Sequence, residues 1–91
     1  METIKLGNNE YEIINNYKDG YDEELVVEKY TDYFEPFDYI FGDFSYDKLR
    51  LKGFYESNNS NVQVFNDIKN MEDYIKNYCS YECRYFLLKK I

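Results

Sequence analysis

Lys48, Arg50 and Lys52 alternate with Leu49 and Leu51, and the run follows closely on Asp43, Phe44 and Tyr46. In an extended chain successive side chains point to opposite faces, so the three cations share one side and the leucines the other. With only 11 Lys and Arg in the chain, three on one strand face concentrate positive charge. Arg50 offers a planar fork suited to a carboxylate or a phosphate, and Phe44 or Tyr46 could stack on a base or on a partner's ring. The competing reading is that these cations pair across a sheet with neighbouring acids and need no ligand. Asp43, Phe44, Tyr46, Lys48, Arg50 and Lys52 are therefore the candidate binding residues.

A second constellation is Cys79 and Cys83, three residues apart. That is not the Cys-x-x-Cys redox spacing, and two sulfurs are too few for a structural zinc. The pair reads first as two small buried hydrophobes, and second as a candidate redox pair. The chain has no histidine, which removes Ser-His-Asp and Cys-His catalysis and the usual neutral-pH base. Its four glycines stand apart and form no phosphate loop. Asp and Glu number 18, yet none of them forms a pair in an identifiable apolar cleft. No catalytic residue, metal site or cofactor is expected, and the chain reads as non-enzymatic.

Charge narrows the partners. A net charge of −7 opposes broad binding to nucleic acid or to acidic lipid, although a local basic face could still bind a phosphate. A protein partner is the first expectation and a nucleic acid or nucleotide phosphate the alternative. No apolar run approaches the roughly 20 residues that cross a bilayer, and the N-terminus lacks a signal-peptide pattern, so a cytoplasmic protein is expected. Oligomeric state is not legible.

These residues need elements to position them. Ninety-one residues suit one domain, residues 1–91, that buries roughly 60 to 65% of its unfolded surface. With 12 Tyr and 7 Phe, the core must be largely aromatic, and buried hydroxyls will need partners. Residues 3–6 and 10–14 flank Gly7-Asn8-Asn9 as a hairpin. Asp22 caps a helix running to about Phe34, with Val26, Tyr30, Tyr33 and Phe34 on one stripe and Pro36 beyond it. Residues 38–41 read as a strand ending in a turn at Gly42-Asp43, and residues 48–52 as a half-buried strand. A short strand is expected over 62–65 and a loop over 56–61. Asn70 then caps a second helix on which Met71, Tyr74, Ile75, Tyr78 and Cys79 share a face. Residues 84–89 form an interior strand. Tyr30, Tyr33, Tyr74, Tyr78, Tyr81 and Tyr85 could be taken for an RNA-stacking platform, but at these spacings they read as core. The fold class is α+β, a mainly antiparallel sheet with two helices packed on one face.

The sequence resembles the bacterial YutD-like family. The likeness is carried by Asp38-Tyr39-Ile40-Phe41-Gly42-Asp43-Phe44-Ser45-Tyr46 and Leu49-Arg50-Leu51-Lys52-Gly53-Phe54. A second block has Asp73-Tyr74, Tyr78-Cys79 and Cys83-Arg84-Tyr85-Phe86, and Tyr17-Lys18-Asp19-Gly20 also matches. Phe44 stands where Trp is more usual in the family, and Glu82 where Gly is common. The resemblance implies a compact α+β fold and no established biochemical activity.

Overall fold

The computed structural model describes residues 2–78 and 83–91. Strands β1 (Thr3–Leu6) and β2 (Asn9–Tyr17) form the expected antiparallel hairpin, pairing Leu6 with Asn9. Gly7 sits at φ +61° in the two-residue turn, a conformation that costs other residues a steric clash. Strand β2 runs three residues past the expected end, because its outer half pairs with the last strand as well.

Helix α1 (Glu23–Lys29) starts where the sequence placed it: the Asp22 carboxylate accepts from the Leu25 amide at 3.2 Å, and Glu23 and Glu24 lie in the first turn. It stops five residues earlier than expected. Tyr30 and Thr31 are extended, and a separate 3-10 turn covers Asp32–Phe34. The break lets Tyr30 turn back over Gly7 while Phe34 still packs on the core with Val26. The expected strand over 62–65 is instead a 3-10 turn, Val64–Asn66, closed by reciprocal bonds between Gln63 and Asn66. Helix α2 spans Met71–Tyr78. Asn70 is not its side-chain cap, since its amide donates to the Val64 carbonyl at 3.0 Å. The expected loop at 56–61 is held by Asp38, whose carboxylate accepts from the Glu56 amide and the Asn59 side chain.

Strands β3 (Tyr39–Ser45), β4 (Lys48–Phe54) and β5 (Tyr85–Lys90) complete one antiparallel sheet in the order β1-β2-β5-β3-β4. The closing strand is interior, as expected, with β2 on one side and β3 on the other. The expected turn at Gly42-Asp43 is instead the middle of β3, and the chain reverses at Tyr46-Asp47. Gly42 belongs in the strand because the Phe86 ring occupies the place of its missing side chain, 2.1 Å from where a Cβ would stand.

The α+β class, with an antiparallel sheet and two helices, holds. The helices take opposite faces, not one. Val26 of α1 joins Tyr11, Ile40, Phe44, Leu49, Phe86 and Leu88. Met71, Tyr74 and Ile75 of α2 cover Tyr39, Phe41, Phe54 and Leu87 on the other side. Strand β3 is buried at nearly every position, with Tyr39 and Phe41 on one face and Ile40 and Phe44 on the other, and a strand buried on both faces needs a cover on each. Phe41, Phe54 and Tyr74 meet edge to face at 5.7–6.3 Å, a geometry that aromatic pairs favour.

Candidate interaction site on the β3–β4 hairpin

The tight pairing of β3 with β4 puts Asp43 directly opposite Arg50 and Ser45 opposite Lys48. The two residues between Ser45 and Lys48, Tyr46 and Asp47, both have positive φ, +51° and +63°. That is the pattern of the two-residue turn matching strand twist, but here its first position is held by Tyr46, a bulky residue that pays a steric penalty for it. Tyr46 is 97% exposed at the tip.

Asp43 is 1% exposed, and its carboxylate is held by the Arg50 fork: Nε donates to Oδ1 at 3.0 Å and Nη2 to Oδ2 at 2.5 Å. Arg50 Nη2 also donates to the Tyr78 carbonyl at the end of α2, at 3.2 Å. The carboxylate hydrogen bond raises the already high pKa of the guanidinium. Arg50 is therefore largely engaged within the fold, though its side chain remains 40% exposed.

Lys52 lies on the same face and differs in kind. Its Nζ is 5.1 Å, 5.6 Å and 5.3 Å from the ring centroids of Phe54, Phe65 and Tyr74. It has no carboxylate partner among the described residues, and burial lowers its pKa from the ordinary lysine value. Lys48 is exposed beside the turn. Phe44, expected to offer a stacking surface, points to the opposite face. It is buried among Ile40, Leu49 and Phe86, and the Arg84 guanidinium covers its ring at 3.9 Å. The structure thus brings Asp43, Arg50 and Lys52 onto one face, sets Tyr46 and Lys48 at the tip, and removes Phe44 to the core.

Residues 5–89 match the family described as "YutD-like: Putative antitoxin YutD-like". The chain belongs to the YutD-like family. It is 41% identical over 88 residues to "Putative antitoxin YutD" of Bacillus subtilis (strain 168), spanning 97% of each chain. It is also similar to the solution NMR structure of protein yutD from B. subtilis, with a TM-score of 0.83 and 40% identity over 100% of this chain and 83% of that one. The YutD-like fold reading, with its sheet and two helices, is thereby shown independently of the pattern of residues.

Two concavities flank β4 in this YutD-like chain. One, of about 320 Å³, is lined by Tyr33, Phe37, Leu51, Lys52, Tyr55 and Phe65 among others. The other, of about 290 Å³, lies between Leu25, Glu28 and Lys29 of α1 and Asp47, Lys48 and Leu49. Reading the sequence missed Tyr33 and Phe65 as members of this surface, having assigned one to a helix stripe and the other to a strand. Both are exposed large rings. Of the tyrosines that could be taken for a stacking platform, Tyr74 and Tyr85 pack on Phe41, Tyr30 is half-buried, and Tyr33 and Tyr78 are exposed. Cys79, Tyr81 and Glu82 lie outside the described residues. Cys83 is not a free cysteine. Among the described residues no group of three or more His, Cys, Asp or Glu could hold a metal, and no helix is long and apolar enough to cross a membrane.

Proposed function

We propose that the chain is a cytoplasmic, non-enzymatic protein-interaction module that meets a protein partner on the β3–β4 hairpin. The observation that carries this reading is Tyr46, a fully exposed ring held on left-handed backbone at the hairpin tip. Backbone strain at a bulky residue persists where it is retained for a purpose, and binding sites are a common place for it. Lys48 beside it, and Lys52 further along the strand, add cations on an otherwise acidic chain. The antitoxin label of the relatives supports a protein partner of the kind a toxin would be. Catalysis lacks support: the chain has no histidine, and its one carboxylate with near-complete burial on this face is held by Arg50.

Binding of a nucleic acid or nucleotide phosphate through the same strip is the second reading, favoured by the Lys52 ammonium, which has no carboxylate partner among the described residues. Against it stand the net charge of −7, the engagement of Arg50 by Asp43, and the cover of Arg84 over Phe44.

Affinity purification from the native host with the tagged chain tests both. Tyr46→Ala and Lys48→Glu change exposed side chains and leave the core intact, so each is expected to deplete the co-purifying protein roughly tenfold or more. A partner retained by both variants sinks the reading. Recovery of an oligonucleotide instead, with affinity falling steeply as salt rises, establishes the second one.

A further inference from the structure

Strand β4 is an outer strand of the sheet, paired on one side with β3. At its far end Tyr55 shows which way the other side faces. Its N–H donates to the Asn66 carbonyl at 2.7 Å and its carbonyl accepts from the Ile68 amide at 2.9 Å, in a parallel bridge centred on Asp67. Hydrogen-bonding direction alternates along a strand, so Gly53, Leu51 and Leu49 turn their N–H and C=O groups to that same outer side. Among the described residues nothing bonds to them there. The segment around Asp67 thus begins to cover the edge and then leaves the outward groups of residues 49–53 without a bonding partner among the described residues, over about 17 Å, with Leu51 half-buried between the buried Leu49 and Gly53.

The open stretch has different chemistry above and below. On the α1 face, Leu51 lies near Tyr33, Phe37 and Tyr55, and Phe37 covers Gly53 where a side chain would otherwise stand. On the α2 face, Lys52 presents a half-buried ammonium among Phe54, Phe65 and Tyr74 with no carboxylate partner among the described residues. Both surfaces open into the same concavity.

Resting on the protein-binding reading above, we infer that residues 49–53 receive an extended segment of the partner as an added strand, with aliphatic side chains toward Leu51, Tyr33 and Phe37 and a carboxylate against Lys52. Main-chain hydrogen bonds supply the attachment, and the two surfaces select the side chains that alternate along the segment. A second copy of this chain does not fit the slot. Antiparallel self-pairing about Arg50, Leu51 or Lys52 sets Lys48 against Lys52, Arg50 against Lys52, or like residues against each other, and each register opposes two cations. Lysine on an outer strand guards against self-association, and the same lysine leaves a carboxylate-bearing strand as the favoured guest.

The test uses the full chain, isotope-labelled for NMR, and two peptides of about seven residues, one alternating valine with glutamate and one alternating valine with lysine. In the free chain the amides of Leu49, Leu51 and Gly53, without an acceptor among the described residues, are expected to exchange faster than those of Arg50 and Lys52, which face β3. The glutamate peptide is expected to slow their exchange roughly tenfold or more, and the lysine peptide to leave it unchanged. Leu51→Pro removes an outward N–H without removing a bond to β3, and is expected to abolish the protection while the rest of the spectrum keeps its dispersion. Lys52→Met keeps the length of the side chain and is expected to erase the preference for glutamate over lysine. The inference is overturned if neither peptide protects these amides, if both do equally, or if the affected amides lie elsewhere. Protection in the free chain that grows with protein concentration assigns the edge to a second copy and overturns it too. Strand addition and hairpin docking fail separately: if Leu51→Pro still retains the host partner that Tyr46→Ala loses, only strand addition falls.

Discussion

Arg50 shows how a side chain can look like a ligand hook and be half committed elsewhere. Asp43 is a carboxylate inside a sheet, and an unpaired charge there would be expelled or neutralised. The bidentate contact from Arg50 resolves that, aided by cross-strand register that places the two residues directly opposite. Arg50→Ala is therefore expected to lower stability by about 3 kcal/mol in urea unfolding, mostly from the stranded carboxylate. Arg50→Lys is expected to recover only part of this, because an ammonium cannot make the two parallel bonds of the fork. An Arg50→Ala protein as stable as the parent would mean that Asp43 is solvated or protonated instead. The sequence shows Asp43 and Arg50 as neighbours in a candidate site. Their pairing is hidden because it depends on where the turn falls, and reading Gly42-Asp43 as the turn places Asp43 outside the sheet altogether.

Elements whose signals are local are the ones the residues announce. Asp22 caps α1 through its own side chain, Gly7 supplies its own turn, and the apolar spacing of Met71, Tyr74 and Ile75 marks the buried face of α2. Elements decided by distant neighbours are not announced. Gly42 is in a strand because of Phe86, 44 positions later, and the helices divide between two faces because β3 is buried on both. Asn70 and Gln63 spend their side chains on bonds that replace the expected cap and strand. The hairpin turn escapes notice for a related reason: Tyr46 is a poor residue for positive φ, although Asp47 tolerates it. Replacing them with Asn and Gly, which adopt positive φ at little cost, is expected to raise stability by about 1–2 kcal/mol and shift thermal unfolding upward. If the strained tyrosine serves binding, the same double change reduces capture of the partner. A variant that is neither more stable nor weaker in binding would remove both the strain and its purpose.

Across the whole molecule, a tyrosine-rich fold with a net charge of −7 has a predictable weakness in alkali. Burial pushes the Tyr21, Tyr30 and Tyr39 hydroxyls up to about 12. Neighbouring acids around Tyr21 act in the same direction, as do Tyr11 beside Tyr30 and the 2.9 Å bond from Tyr39 to Glu56. In the unfolded chain these groups ionise near the ordinary value of 10, so between pH 10 and 12 the folded state binds more protons than the unfolded state. Stability must then fall as pH rises through that window. Lys52 acts in the opposite sense. Its lowered pKa means that burying the ammonium costs stability at neutral pH, and that cost lifts as pH climbs from its folded value toward 10.5. The expected profile of urea midpoint against pH is level or slightly rising toward pH 10, then steeply falling. Tyr21→Phe supplies the decisive comparison, since the Tyr21 hydroxyl is buried without a hydrogen-bond partner among the described residues. Removing it is expected to leave neutral-pH stability unchanged or slightly raised, because no bond is lost, while making the alkaline fall shallower by about one proton. Tyrosinate absorbance showing Tyr21, Tyr30 and Tyr39 to be half ionised at pH 10 in a chain still folded by circular dichroism would show these hydroxyls to be solvated, and the argument from burial would fail.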